Sequence, residues 1–115
     1  QLASGRVEDV TSEIIAQAWE SGDELATEIL QETADLLAVW LGGIVDLLEP
    51  DVVVVGGGVS SLISHWFGRI RSQLPAWSVN VRCGEIPFFE AKYHADSGIV
   101  GAAALCVSRK ALLIG

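Results

Sequence analysis

The chain has 115 residues, half of them apolar, with a formal net charge of −8. That length suits one ordinary domain with a real core, and the composition excludes a disordered tail. The charge is unevenly placed: residues 1–51 hold 12 Asp/Glu against one Arg, and residues 52–115 hold three acids against six Lys/Arg. An acidic helical half argues against direct nucleic-acid contact, which rests on Lys/Arg neutralising phosphates.

From the amino terminus, Val7, Val10, Ile14, Ala18 and Trp19 share one helical face, and Asp9 or Thr11 suits the start. "ESGD" ends this helix, and Ser21 with Glu24 reads as a capping box for the next. The second helix runs from about 23 to 48, with Leu25, Ile29, Leu36, Leu37, Trp40, Leu41, Ile44 and Leu48 recurring at threes and fours. Its apolar part, residues 36–48, carries Asp46 and is shorter than the roughly 20 residues of a membrane span, so a buried helix is expected. Gly42 and Gly43 each cost about 1 kcal/mol of helix stability relative to alanine; close approach of another backbone would compensate. Glu49-Pro50 stops the helix, because the residue before proline is pushed out of the α region.

Asp51 to Val55 is β-branched and unbroken, the pattern of a strand buried on both faces. Residues 60–74 follow as an amphipathic helix closed by Pro75. In 77–83, Trp77, Val79, Val81 and Cys83 alternate with polar residues, which predicts a half-buried strand. Residues 86–94 form a weaker strand or extended loop, since Pro87 suits only an edge or a start. The small-residue run 97–113 predicts a closely packed helix. The order implies an α/β fold with a mainly parallel sheet, yet too few strands are present to cover and close one. A neighbouring lobe is therefore expected beyond this chain. The absence of methionine, position 1 included, fits a processed start or a piece of something longer. No signal-peptide pattern opens the chain, and Cys83 and Cys106 lack metal or disulfide spacing, so buried reduced thiols in a cytoplasmic protein are expected.

The glycines at 56–58 admit several readings. A Walker A loop needs a closing Lys-Ser/Thr, and no lysine precedes Lys92. A dinucleotide fingerprint fits Gly56 and Gly58, but Ser61 holds the third glycine position and no acid lies about 20 residues on. What remains is a glycine turn at the carboxyl end of a strand, the place where open α/β sheets bind ligands. Without Cβ atoms a base and ribose could lie on the backbone, and the next helix start would offer free N–H groups. On residue types alone, a bare strand-to-helix turn is equally admissible.

Three features point further: Gly22-Asp23 with Ala26 and the long helix after them, "EPDVVVVGGGVS", and "DSGIVGAA" from Asp96 to Ala103. In this order and spacing, over roughly residues 7–107, the chain resembles the carboxyl-terminal part of the ROK family. These are bacterial glucokinase-like sugar kinases and sugar-responsive repressors. The resemblance implies part of a ribonuclease H-like lobe of the actin/hexokinase/Hsp70 superfamily, with residues 1–115 as one partial domain. It implies an adenosine shelf at Gly56, Gly57, Gly58, Val59 and Ser60, and a hinge helix through Asp96, Gly98, Gly101, Ala102 and Ala103. It further implies ATP and Mg²⁺ in a complete protein that phosphorylates a hexose, and a homo-oligomer. The family's amino-terminal phosphate loop, Glu-x-Gly-His segment, zinc-binding cysteines and catalytic aspartate have no counterpart here, so no catalytic or metal residue is assigned, and the isolated chain should be inactive. His65 is expected on a helix surface and His94 in a loop. A repressor effector lobe and a purely dimerising lobe are the alternatives.

Overall fold

A computed structural model describes the backbone of residues 4–114 and the side chains of 4–107. The first helix, α1, spans Ser12–Glu20 and starts where the Thr11 hydroxyl accepts the Ile14 N–H at 3.4 Å. Val7 and Val10 fall outside it and are exposed, so the apolar face expected to begin at Val7 begins one turn later. Helix α2, Glu24–Leu48, is capped by Asp23, whose carboxylate accepts the Ala26 N–H at 2.8 Å. This corrects the expected capping box: Ser21 instead ends α1, donating its hydroxyl to the Gln17 carbonyl. Glu49 closes α2 in the left-handed region (φ 44°), directly before Pro50.

Strand β1, Val53–Val55, pairs in parallel with β2, Phe88–Glu90, in the register Val53 to Phe88 and Val55 to Glu90. These two strands are the only ones among the described residues. Between them lie α3, Ser60–Ser64, and α4, Phe67–Gln73, followed by a 3₁₀ turn at Leu74–Ala76. One helix was expected here. His65 Nδ1 sits 2.9 Å from the Ser61 carbonyl and Ser64 Oγ donates to the same oxygen, so side chains take up carbonyl positions that a continuous helix would use.

The core is where α2 meets α4. Ala34, Ala38, Leu41 and Val45 pack against Ile63, Ile70, Leu74, Cys83 and Ile86. The alanines let α4 lie close, and Arg69 forks onto Asp35 at 2.6 and 2.8 Å to fix the pairing. Gly42 meets its expected neighbour: a Cβ there would fall 2.5 Å from the Trp77 carbonyl oxygen, whereas one at Gly43 would meet nothing.

The strand expected at 77–83 is absent. The Asp46 carboxylate accepts the Ser78 hydroxyl at 2.5 Å and the Val79 and Asn80 N–H groups at 3.0 and 3.3 Å, bending the segment into a turn. Val79 and Val81 consequently point outward, 87% and 97% exposed. Two further expectations of burial fail, because among the described residues no second layer stands opposite. In β1 Val54 is 60% exposed, and the last helix, α5 (Ser97–Ile114), presents Ile99, Leu105 and Val107 to solvent. Cβ atoms at Gly98 and Gly101 would meet nothing within 4 Å, so no close helix crossing is made there among the described residues. Cys83 is buried as expected, but Cys106, on α5, is exposed. The radius of gyration, 17.9 Å, exceeds the roughly 13 Å of a compact domain this long. No described helix is long and apolar enough to cross a membrane.

Candidate functional site

The three glycines after β1 have three different surroundings. At Gly56 an added Cβ would stand 3.1 Å from the Ala91 Cβ, so this glycine admits the chain that leaves β2. Gly57 adopts φ 111°, which side chains disfavour, and donates its N–H to the His94 carbonyl at 3.4 Å. Gly58 has neither constraint: its φ is not left-handed, and a Cβ would meet open space. Val59 beside it is 46% exposed. The open surface of the turn is thus Gly58 and Val59, while Gly56 and Gly57 shape its backbone.

Ser60 is buried at 1% exposure, and its N–H and hydroxyl both return to the Gly57 carbonyl, at 3.2 and 2.9 Å. The expectation of free N–H groups at this helix start is therefore corrected at Ser60, whose N–H is already used. Helix α3 is also only five residues long, so its dipole is small.

Sequence reasoning missed the group that holds this turn. Glu90, at the end of β2, brings Oε1 within 2.7 Å of Ser61 Oγ, 2.8 Å of His94 Nδ1 and 3.3 Å of Ser60 Oγ. A carboxylate only accepts, so Nδ1 of His94 carries a proton toward it. The Ser61 hydroxyl, and after it the His94 imidazole, hold the Glu90 carboxyl below its usual range, against the opposing effect of desolvation. His94 itself has φ 45°, and its carbonyl accepts from Gly57 N–H and from Ser97 Oγ at 2.8 Å. The glycine turn is in this way tied to the first residue of α5. The four-residue spacing of Glu90 and His94 was visible in the sequence; their meeting with serines 30 positions away was not.

A shallow groove of about 230 Å³ opens beside Gly58 and Val59, walled by α1 through Ser12, Ala16 and Trp19 and floored by Leu62. His65, expected on a helix surface, instead lies in the turn between α3 and α4, where it meets the Trp19 ring edge-on with centroids 5.1 Å apart. Among the described residues no three His, Cys, Asp or Glu side chains converge on a point that could hold a metal ion.

Comparison with known proteins bears on this arrangement. The chain is 40% identical over 97 residues to an N-acetyl-D-glucosamine kinase of Escherichia fergusonii, covering 84% of the chain and 31% of that protein. It is 39% identical over 92 residues to the Citrobacter koseri enzyme of the same name, covering 80% and 29%. With the Pasteurella multocida N-acetyl-D-glucosamine kinase it shares 31% identity over 103 residues, covering 89% and 33%. The chain thus spans about a third of the length of these relatives. The sequence profile of the ROK family matches residues 1–109, and the chain belongs to that family.

Proposed function

We propose that this chain is the carboxyl-terminal, nucleotide-binding lobe of a sugar kinase that moves the γ-phosphoryl group of ATP to a hydroxyl of an N-acetylated hexosamine. The observation that carries this reading is the 31–40% identity to N-acetyl-D-glucosamine kinases across 80–89% of the chain. It sharpens the expectation of a glucokinase-like hexose kinase toward an N-acetylated sugar. The lobe belongs to the actin/hexokinase type, and residues 1–115 are one partial domain of it. The exposed apolar side chains of β1 and α5 support that assignment, because a complete lobe would cover them.

In this reading Gly56, Gly57, Gly58, Val59 and Ser60 form the adenosine shelf. Gly58 and Val59 face the base and ribose, while Gly56, Gly57 and Ser60 fix the backbone beneath. The nucleoside part of ATP fits this place, since the open side of Gly58 lets a flat group reach the main chain. Bound ATP supplies the phosphoryl group; this chain orients the nucleoside and shields one side of it from water. Such catalysis is mostly positioning and charge stabilisation. Mg²⁺ would accompany the nucleotide, but the described residues do not fit a dedicated cage for it. The sugar-binding and proton-accepting groups belong to the other lobe, the whole protein works in the cytoplasm, and the exposed faces also suit a homo-oligomer.

The test is a coupled phosphorylation assay of the full-length protein with ATP, Mg²⁺ and a sugar panel. Turnover of N-acetylglucosamine above glucose is the expected result. No turnover on any sugar, together with sugar-dependent DNA binding, would instead identify a repressor.

A further inference from the structure

We infer that Glu90 is a positioning residue for nucleotide binding, holding the glycine turn in its ligand-accepting form through Ser61, Ser60 and His94. The inference rests on the reading of that turn as the adenosine shelf. The Glu90 carboxylate bridges the two sides of the turn. On one side it takes the Ser61 hydroxyl at 2.7 Å and lies 3.3 Å from the Ser60 hydroxyl, at the residues that follow Val59. On the other it takes His94 Nδ1 at 2.8 Å, and the His94 carbonyl receives the Gly57 N–H.

Gly57 is the pivot, because at φ 111° its backbone has little intrinsic reason to stay in place. A glycine loses more conformational freedom on ordering than any other residue, so the turn keeps one shape only while its neighbours restrain it. The restraints come from two residues, Ser61 and His94, that share a single carboxylate oxygen, with Ser60 packed 3.3 Å from it while its hydroxyl bonds the Gly57 carbonyl. Charge-assisted bonds of 2.7 and 2.8 Å are the stronger kind, and removing their common acceptor releases both together. Glu90 does not need to touch ATP for this. Its side chain lies behind the turn, against a buried Ser60, while Gly58 and Val59 present the outer surface. The same carboxylate also links the shelf to α5, since Ser97 bonds the His94 carbonyl.

The experiment compares Glu90→Ala, Glu90→Gln and Ser61→Ala in the full-length protein, with steady-state kinetics in ATP and in N-acetylglucosamine and with thermal unfolding. Glu90→Ala should raise KM for ATP about tenfold, with a smaller change in kcat and KM for the sugar near that of the unsubstituted protein. That pattern marks lost ground-state nucleotide binding. Glu90→Gln keeps one acceptor oxygen and should recover part of the effect; Ser61→Ala, the mildest change, should raise KM for ATP two- to threefold. A role only in folding would lower the unfolding temperature and the active fraction while leaving KM for ATP in place. The inference is overturned if KM for ATP stays within the error of the unsubstituted protein in Ser61→Ala and in whichever Glu90 variant folds. If the unsubstituted protein binds no ATP at all, the shelf assignment fails and this inference with it, an outcome distinct from equal KM values.

Discussion

The half of the molecule built on α2 and α4 differs from the half that ends in α5 in one respect: where its side chains find partners. In the first, Ala34, Ala38 and Val45 are fully buried, Gly42 lies against Trp77, and Asp35 is taken up by Arg69 and Gln73. In the second, an equally apolar helix meets little beyond the turn before it, and Ile99, Leu105 and Val107 face outward. Hydrophobic residues alone do not make a core; a second layer must stand opposite them. The glycine turn lies at the boundary of the two halves, tied to β2 and to the start of α5 through His94.

Cutting into the self-sufficient half should cost most. Ile70→Ala removes a side chain 1% exposed at the centre of the core and is expected to lower stability by about 2–5 kcal/mol, read from denaturant unfolding of the full-length protein. Gly42→Val should cost about 1–3 kcal/mol or more, because the Trp77 carbonyl 2.5 Å from the new Cβ is backbone and cannot swing aside. A loss under 0.5 kcal/mol in either would show that α2 and α4 are not the anchored half.

The α5 half makes the opposite prediction. Ile99→Ala should change the stability of the chain alone by less than about 0.5 kcal/mol, since the side chain is 73% exposed. If another lobe covers α5, as proposed, the same change in the full-length protein should cost at least about 1.5 kcal/mol. Equal small effects in both would remove the case for a covering lobe.

The smallest effect is a pH dependence. Asp35, held down chiefly by Arg69, Asp46, held down by Ser78 and Val79, and Glu90, held down by Ser61, all have carboxyl pKa values below the ordinary range. A depressed folded pKa contributes stability above the unfolded value and loses it as pH falls through the folded one. Stability should therefore be level from neutral pH to about 5 and decline below about 4, where ordinary carboxyls begin to protonate. In Asp46→Asn that decline should be shallower, and the Val79 and Asn80 amides should exchange faster with deuterium. Unchanged exchange at both would refute the Asp46 anchor.

What the sequence disclosed follows the range of the forces involved. Helix α2 was legible because its apolar spacing and Pro50 are local signals, and so was β1 with its glycine turn. The turn at 77–80 was not. Its alternation meets every local requirement of a strand, and only Asp46, more than 30 positions earlier, diverts the amides. The break at His65 depends on which carbonyls the side chains reach in space, which periodicity does not register. Of the site, Gly56 to Ser60 could be named from residue types, but not their separate roles. Those depend on Ala91, His94 and Glu90, which β2 brings alongside.

The central claim, that Gly58 opens onto a bound nucleoside, is tested by titrating ATP into the full-length Gly58→Val protein in a calorimeter. Among the described residues a Cβ at position 58 meets nothing within 4 Å, and no unusual φ is required, so the fold should tolerate the change. Against a base and ribose lying on the backbone it must collide, and Kd for ATP should rise at least about tenfold, roughly 1.4 kcal/mol. An unchanged Kd in a protein that unfolds at the usual temperature would contradict the claim and leave the three glycines as a strand-to-helix turn.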